Sequence, residues 1–407
     1  DLHFLIVARA LERNARIEYA YLNMLKNYLL ISFRNFRNNK GSAVLNMLCL
    51  SLGMATCLFI YNYVSFELSY DNFHEKSSRL YRVETDTYNN QEVISKNAYS
   101  TFKAGETIKE KFEDIEAFCR LIPFSENGTA FLISMDQDSS QRISFLEKAY
   151  FTETTLFDMF TIELSDQKDG SILSDPNTLA ISELTASKLF PTLVEIGTSV
   201  IGQEVQVRTT GQDKETWTIE AVYKELPQNS HIKFDVLFSL KERDYSLDAN
   251  TQPNTYNYVL TKDNFDHETV QEALIDRAEL VQNSNANQYY PSLKNISEIH
   301  MSSRVSNDPG SSANNTFILF LVVLGFVILI LASTNYINSA IISSIERSKE
   351  IGVRKSIGSG RGQLIFQFLS ESLLVSIFIK RFFLPLCCAF ISSLLTNPSP
   401  SASILVK

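Results

Sequence analysis

The residues with the most pointed chemistry form one short run, Glu346-Arg347-Ser348-Lys349-Glu350-Ile351-Gly352-Val353-Arg354-Lys355-Ser356-Ile357-Gly358. Glu350 and Arg354 stand four apart in the order that favours a helical ion pair. Val353 and Ile357 make an apolar stripe at the same spacing, and Gly358 with Gly360 can stop the helix and turn the chain. That is chemistry for docking against another surface. On residues alone it reads more simply as a solvated intracellular loop whose basic side chains mark the cytoplasmic face.

Motifs for catalysis are missing. No G-x-x-x-x-G-K-[ST] phosphate cradle occurs, and the glycine-rich residues 358–362 follow no strand and read as a turn. His74-Glu75 opens a zinc-protease pattern that fails at Ser78. His231, His267 and His300 are scattered, with no Cys or carboxylate at ligand spacing, which leaves surface or structural roles. There is no G-x-S-x-G elbow for a nucleophilic serine. The expectation is no catalytic residue, no metal site and no cofactor bound by this chain.

The elements that must carry the docking run are apolar. Residues 43–66 hold 24 positions without a charge, and residues 317–345 hold 29. A helix needs roughly 20 apolar residues to cross a bilayer, so both qualify. Charge is split around them. Residues 1–66 carry a net +4 and residues 316–407 a net +5, so the chain's −9 leaves −18 for residues 67–315. Lys and Arg near membrane ends stay in the cytoplasm. The sequence therefore predicts both flanks inside, with Lys26, Arg34, Arg37 and Lys40 at the membrane surface, and the acidic insert outside. A net −18 also argues against a nucleic-acid partner.

The spacing of Leu25, Tyr28, Leu29, Ser32, Phe33 and Phe36 predicts an amphipathic cytoplasmic helix over 24–41, either set off from the first membrane helix, 42–66, by a break at Gly41-Ser42 or simply extending it. Residues 1–23 are expected to be a non-native or disordered extension. In the insert, residues 80–86 read as a strand, 101–120 as an amphipathic helix, and 183–190 as a short helix stopping at Pro191. Residues 204–208 and 216–223 alternate at period two and read as paired strands. The Asn307-Asp-Pro-Gly run marks a turn before the second membrane helix, 316–345. This is an α+β pattern. Cys119 is the insert's lone cysteine, so the domain must stand on its hydrophobic core. Asn127, Asn295 and Asn314 sit in glycosylation-type triplets that read as chance matches. A coupling segment follows at 346–362, the start of a third membrane helix at 363–379, and an atypical tail at 380–407.

Four stretches together resemble a known family. They are 25–37 leading into the first helix, 70–83 beyond it, the set Ile201-Gly-Gln with 218–223 and 227–235, and 346–360 with 367–373. From Met24 to Phe378 the chain resembles the N-terminal half of a type VII ABC transporter permease, the MacB/FtsX-like group, with the family's pattern expected to end near Phe378. The resemblance implies an α-helical membrane protein with an inserted α+β extracytoplasmic domain of the MacB-like periplasmic core type. It implies a multi-pass chain in the bacterial inner membrane, a cytoplasmic ABC ATPase as partner with ATP-Mg bound there, a permease dimer or second half-unit, a periplasmic adaptor, and the lipid bilayer. It makes Glu346, Arg347, Glu350, Val353, Arg354, Lys355, Ile357 and Gly358 the ATPase-coupling residues. The implied activity is efflux or mechanotransmission of a peptide, lipid, lipoprotein or drug. A sensory receptor with a periplasmic ligand domain shares the two-helix layout, but the chain re-enters the membrane after about 18 residues where a receptor continues into a signalling helix. A non-functional permease fragment is the third reading.

Overall fold

The computed structural model describes residues 40–89, 92–124, 130–135, 141–145, 148–209, 214–241, 254–276, 282–284, 287–302, 305–310, 312–346 and 348–357, with isolated positions between 362 and 389. The chain divides into two compact units. One holds the long helices, up to Val64 and from Ile318 on, and the other is Ser65–Phe317.

In the first unit the long helices span Lys40–Glu67 and Asn315–Glu346. Both contain a stretch apolar enough to cross a bilayer, Leu48–Glu67 and Asn315–Ile342. The first helix runs straight through Gly41 and Ser42, so there is no break at that point. A single helical Gly costs about 1 kcal/mol against Ala, too little to end a helix that continues into 20 apolar residues. The helices approach closely where side chains are small. A Cβ built on Gly53 would lie 2.7 Å from the Cβ of Ala332, and one on Gly325 would lie 3.6 Å from Ile60. Gly53 opposite Ala332 and Ile60 opposite Gly325 fix an antiparallel pair. Midway, Cys57 Sγ donates to the Gly325 carbonyl at 3.3 Å. Small residues are what let helix backbones approach in lipid, where burial of apolar surface supplies no drive. Leu52, Phe59, Tyr61, Leu319, Phe320 and Phe326 point outward.

The second unit is built on one mixed sheet of 14 strands among the described residues. Its middle strands, Thr178–Ser182, Val236–Ser239 and Tyr256–Thr261, are buried at every position. That explains their near-continuous apolar runs, since a strand covered on both faces has no solvent side to alternate with. Thr178–Ser182 pairs in parallel with Glu215–Tyr223, and the crossover between them carries two helices, Glu183–Leu189 and Pro191–Glu195. The Ser182 hydroxyl caps the first by accepting from the Thr185 N–H at 3.2 Å. The first helix stops at Leu189, just ahead of Pro191 as expected, and Pro191 opens the second, where its missing N–H costs nothing. Glu204–Thr209 and Glu215–Tyr223 are antiparallel neighbours, with Val207 opposite Glu215.

Residues 101–120 depart from the expected helix. Only Ala104–Lys111 is helical, and Ile115–Pro123 is a strand between Tyr256–Thr261 and Ala149–Thr152. Phe118, Cys119, Leu121 and Ile122 suit either period, and the two waiting strand edges decide it. Three apolar clusters result among the described residues. One gathers around Tyr258, Leu121 and Leu156, one around Trp217, Phe238 and Phe151, and one lies between Val83 and the helices Ala104–Lys111 and His267–Asp276.

Candidate functional site

Two places in the chain combine unusual residues with a position next to the long helices. The first is the helix Ser348–Ser356. It begins two residues later than expected because Glu346 is the last residue of the long helix Asn315–Glu346. Val353 and Ile357 are 59% and 80% exposed, and Lys349, Lys355 and Gly352 are exposed with them. Ser356 Oγ donates to the Val353 carbonyl at 2.7 Å, tightening the last turn. Glu350 and Arg354 lie four apart on this helix. Arg347, Gly358, Lys26, Arg34 and Arg37 lie outside the described residues, as does the amphipathic stretch up to 39, and Lys40 is described only as the first residue of its helix.

The second place is a buried polar knot in the Ser65–Phe317 unit, built from the residues that follow the first long helix and those that precede the second. Asp71, in a left-handed conformation at φ 58°, is wholly buried. Its Oδ1 accepts from the His231 backbone N–H at 3.1 Å and from Ser230 Oγ at 3.4 Å. His231 Nδ1 lies 2.9 Å from the same oxygen, a charge contact without hydrogen-bond alignment. His74 Nε2 stands 3.9 Å from it. The Thr161 N–H donates to His74 Nδ1 at 3.1 Å, so the neutral imidazole carries its proton on Nε2, toward the carboxylate. Burial, partly offset by Asp71 and reinforced by His231, lowers the His74 pKa to about 4, and the ring is neutral at ordinary pH.

From His231 the network runs on through hydroxyl and guanidinium. His231 Nε2 lies 2.9 Å from the Tyr258 hydroxyl. Arg82, fully buried, donates to Glu84 Oε1 at 2.6 Å and to Asp308 Oδ2 at 3.1 Å. Burial alone would lower the Arg82 pKa; Tyr258, Glu84 and Asp308 outweigh it and hold it raised. Asp308 Oδ1 in turn accepts the Gly310 N–H at 3.1 Å, and a Cβ on Gly310 would meet the His231 carbonyl at 2.4 Å. Two further ties close the knot. Asn229 Nδ2 donates to the Ser69 carbonyl at 2.9 Å, and His300 stacks on Tyr70 at 3.4 Å while pairing with Glu67 at 2.5 Å. The His300 carbonyl accepts the Ala313 N–H at 2.7 Å.

Spacing in the sequence separates Asp71 from His231 by 160 residues and Arg82 from Asp308 by 226, so nothing local announces these pairs. His74, His231 and His300 lie in the interior, at the Thr161 N–H, the Tyr258 hydroxyl and Glu67 respectively. His267 Nε2 meets the Leu293 carbonyl at 3.0 Å. No group suited to a metal ion occurs among the described residues. Asn295 and Asn314 spend their side chains capping helices, at Ser297 and at Thr316.

Residues 43–277 match the MacB-like periplasmic core domain family, and residues 322–403 match the FtsX-like permease C-terminal family, a match that continues past Phe378. Among curated relatives, the chain is 24% identical over 233 residues to the uncharacterized ABC transporter permease YvrN of Bacillus subtilis (strain 168), covering 56% of this chain and 54% of that one. It is 36% identical over 67 residues to the macrolide export ATP-binding/permease protein MacB of Bdellovibrio bacteriovorus, which is 16% of this chain and 10% of MacB. A solved domain of a putative permease protein from Porphyromonas gingivalis aligns with 61% of this chain and 98% of its own length, at 19% identity and a TM-score of 0.43. The chain thus spans a tenth of the MacB relative and about half of YvrN. With a MacB-like periplasmic core matched over more than half its length, an FtsX-like permease segment after it and two helices apolar enough to cross a bilayer, the chain belongs to the MacB/FtsX-like family of ABC transporter permeases.

Proposed function

We propose that this chain is a permease subunit that couples ATP hydrolysis on a separate cytoplasmic ABC ATPase to a conformational change in a periplasmic domain, in the bacterial inner membrane. In this reading the helix Ser348–Ser356 seats in the ATPase, with Val353 and Ile357 as apolar anchor and Glu346, Arg347, Glu350, Arg354, Lys355 and Gly358 as its charged and turning surround. The long helices carry the displacement, and the domain that answers it is Ser65–Phe317. The substrate class is a peptide, lipid, lipoprotein or drug, or a mechanical signal with no cargo.

The observation that carries this reading is the polar knot. The residues leaving one long helix are bonded to the loop Asn229–His231 through Asp71 and Ser69, and Gly310, ahead of the other, packs against the His231 carbonyl with no room for a Cβ. A hinge made of solvated loops would absorb a helix displacement, whereas buried, bonded charges resist it, because separating them strands a charge away from water. Such a joint transmits motion.

The test is pull-down of the ATPase by the intact permease carrying Glu350→Lys or Arg354→Glu. Losing a partly buried charge pair at an interface costs about 2 kcal/mol or more, while a solvated loop charge costs almost nothing. Weakened capture by about thirtyfold with normal membrane insertion supports seating. Unchanged capture by both variants reduces the segment to a topology signal. Reporter fusions at Asn229 and Ser359 check the placement independently, with Asn229 expected outside and Ser359 inside.

A further inference from the structure

Glu67, the last residue of the first long helix, and Ala313, two positions ahead of the second, are both bonded to His300. The two bonds use different parts of it. Its Nε2 lies 2.5 Å from Glu67 Oε2, and its backbone carbonyl accepts the Ala313 N–H at 2.7 Å. An ionised carboxylate only accepts, so the proton of the first bond belongs to Nε2. The ring lies flat on Tyr70, with centroids 3.4 Å and planes 2° apart, which fixes its rotation. A side chain that meets both neighbours needs a flat ring with a donor at its far edge, and histidine has both. The Asp71 knot engages the chain further out, with Asp71 four residues past Glu67 and Gly310 five ahead of Asn315.

His300 is itself anchored in the sheet domain. It follows the short helix Ile296–Ile299 as its C-cap, in helical conformation at φ −61°, and both isoleucines are buried in the apolar cluster around Tyr258. Asn295 starts that helix by accepting the Ser297 N–H at 3.0 Å, and its Nδ2 donates to the Ser77 and Ser78 carbonyls at 3.1 and 3.2 Å. The strand Asn287–Asn295 runs directly into it and pairs along Leu80–Asn89. A displaced Glu67 therefore has two courses. It breaks from His300 and leaves a carboxylate and an imidazole unpaired, at 12% and 3% exposure, or it carries His300 and the strand with it. The first is opposed by the cost of stranding polar groups away from water.

We propose that His300 is a positioning residue of the coupling path, its side chain tying the end of the first long helix, and its carbonyl the approach to the second, to the strand Asn287–Asn295. Packed and hydrogen-bonded elements of this kind are what carry energetic coupling between distant sites. The role rests on the reading of the chain as a coupling permease, whereas the tie itself is a property of the fold and is tested separately.

The experiment is hydrogen exchange on the full-length permease in nanodiscs, with and without the ATPase and ATP. Two amides report on the tie, Ser69 N–H on the Phe66 carbonyl and Ala313 N–H on the His300 carbonyl. His300→Phe keeps a ring for Tyr70 and removes the donor. It should speed exchange at Ser69 about tenfold, the worth of one hydrogen bond to a charged group, and leave Ala313 slow because that acceptor is backbone. Glu67→Met should do the same from the other side, and it carries the test if the first variant does not fold. His300→Gln returns a donor and should restore most of the protection. With ATPase and ATP present, exchange across Asn287–Asn295 should change in the wild type and in His300→Gln, and stay unchanged in His300→Phe and Glu67→Met. Ser69 exchange unaltered in both of these variants overturns the tie. Joint loss of protection at Ser69 and Ala313 also overturns it, by showing that His300 merely holds its own short helix. A strand response that survives both variants overturns the positioning role. A wild-type strand that never responds overturns the coupling reading and the role with it, while the Ser69 result still decides whether the tie exists.

Discussion

At the scale of single residues, the knot around Asp71 gives the protein a pH dependence whose sign follows from His74. Its folded pKa of about 4 lies below an unfolded value of about 6.5, because burial disfavours the imidazolium. A group depressed on folding stabilises the native state fully above its unfolded pKa, and the contribution drains away as pH falls through the folded one. The shift corresponds to a loss on the order of 3 kcal/mol between about pH 6.5 and pH 4. Urea midpoints for the Ser65–Phe317 unit should therefore fall across that window, and His74→Asn, which keeps an acceptor near the Thr161 N–H and cannot charge, should flatten the slope. An unchanged slope would remove His74 as its source. Gly310 offers a second test. An added Cβ meets backbone, the His231 carbonyl at 2.4 Å, so the neighbour cannot rotate away. Gly310→Ala is expected to cost about 1–3 kcal/mol, as overpacking in a close-fitted interior does, whereas Gly170→Ala, with nothing within 4 Å of the built Cβ, tests only its φ of +107°. Matching melting temperatures for wild type and Gly310→Ala would count against this packing.

At the scale of elements, the close seam between the long helices depends on Gly53, Cys57, Gly325 and Ala332. Gly53→Ile should push the pair apart and lower the thermal midpoint of the detergent-solubilised protein, by about 1–2 kcal/mol of lost packing. Leu58→Ile, on an exposed position of the same helix, is the control expected to change little. If both behave alike, the seam contributes nothing. The seam was not legible beforehand. Both helices announced themselves by length and lack of charge, but which of their faces meet depends on the partner, and an apolar helix in lipid shows no amphipathic stripe to mark it. The helix Ser348–Ser356 was legible from its Glu350–Arg354 spacing. Its first residue was not, because Glu346 satisfies the end of one helix and the start of the next equally well. Residues 115–123 show the same limit in the domain, where strand neighbours 30 and 140 residues away override a helical pattern.

At the scale of the whole molecule, the Ser65–Phe317 unit contains its own sheet and three apolar clusters, and Cys119 is buried and free within it. It should fold when expressed alone, with a single cooperative unfolding transition followed by circular dichroism and fluorescence together. Non-coincident transitions, or a product that only aggregates, would contradict an autonomous domain. Its ends lie in the knot, so a fragment begun after Asp71 should lose stability that one begun at Ser65 retains.

What the amino-acid sequence determined by itself is what local composition and spacing can encode. Two uncharged runs long enough to span a bilayer, a charge asymmetry around them and strand and helix periods in the insert set out the order of the segments, and the four stretches that resemble the MacB/FtsX-like group placed the family. Tertiary structure alone decided the rest. Asp71 meets His231, Arg82 meets Asp308, and Gly53 meets Ala332. Each of these depends on strand register or helix rotation, quantities set by packing between distant segments and by the need to pair every buried charge, and no window of sequence contains both partners.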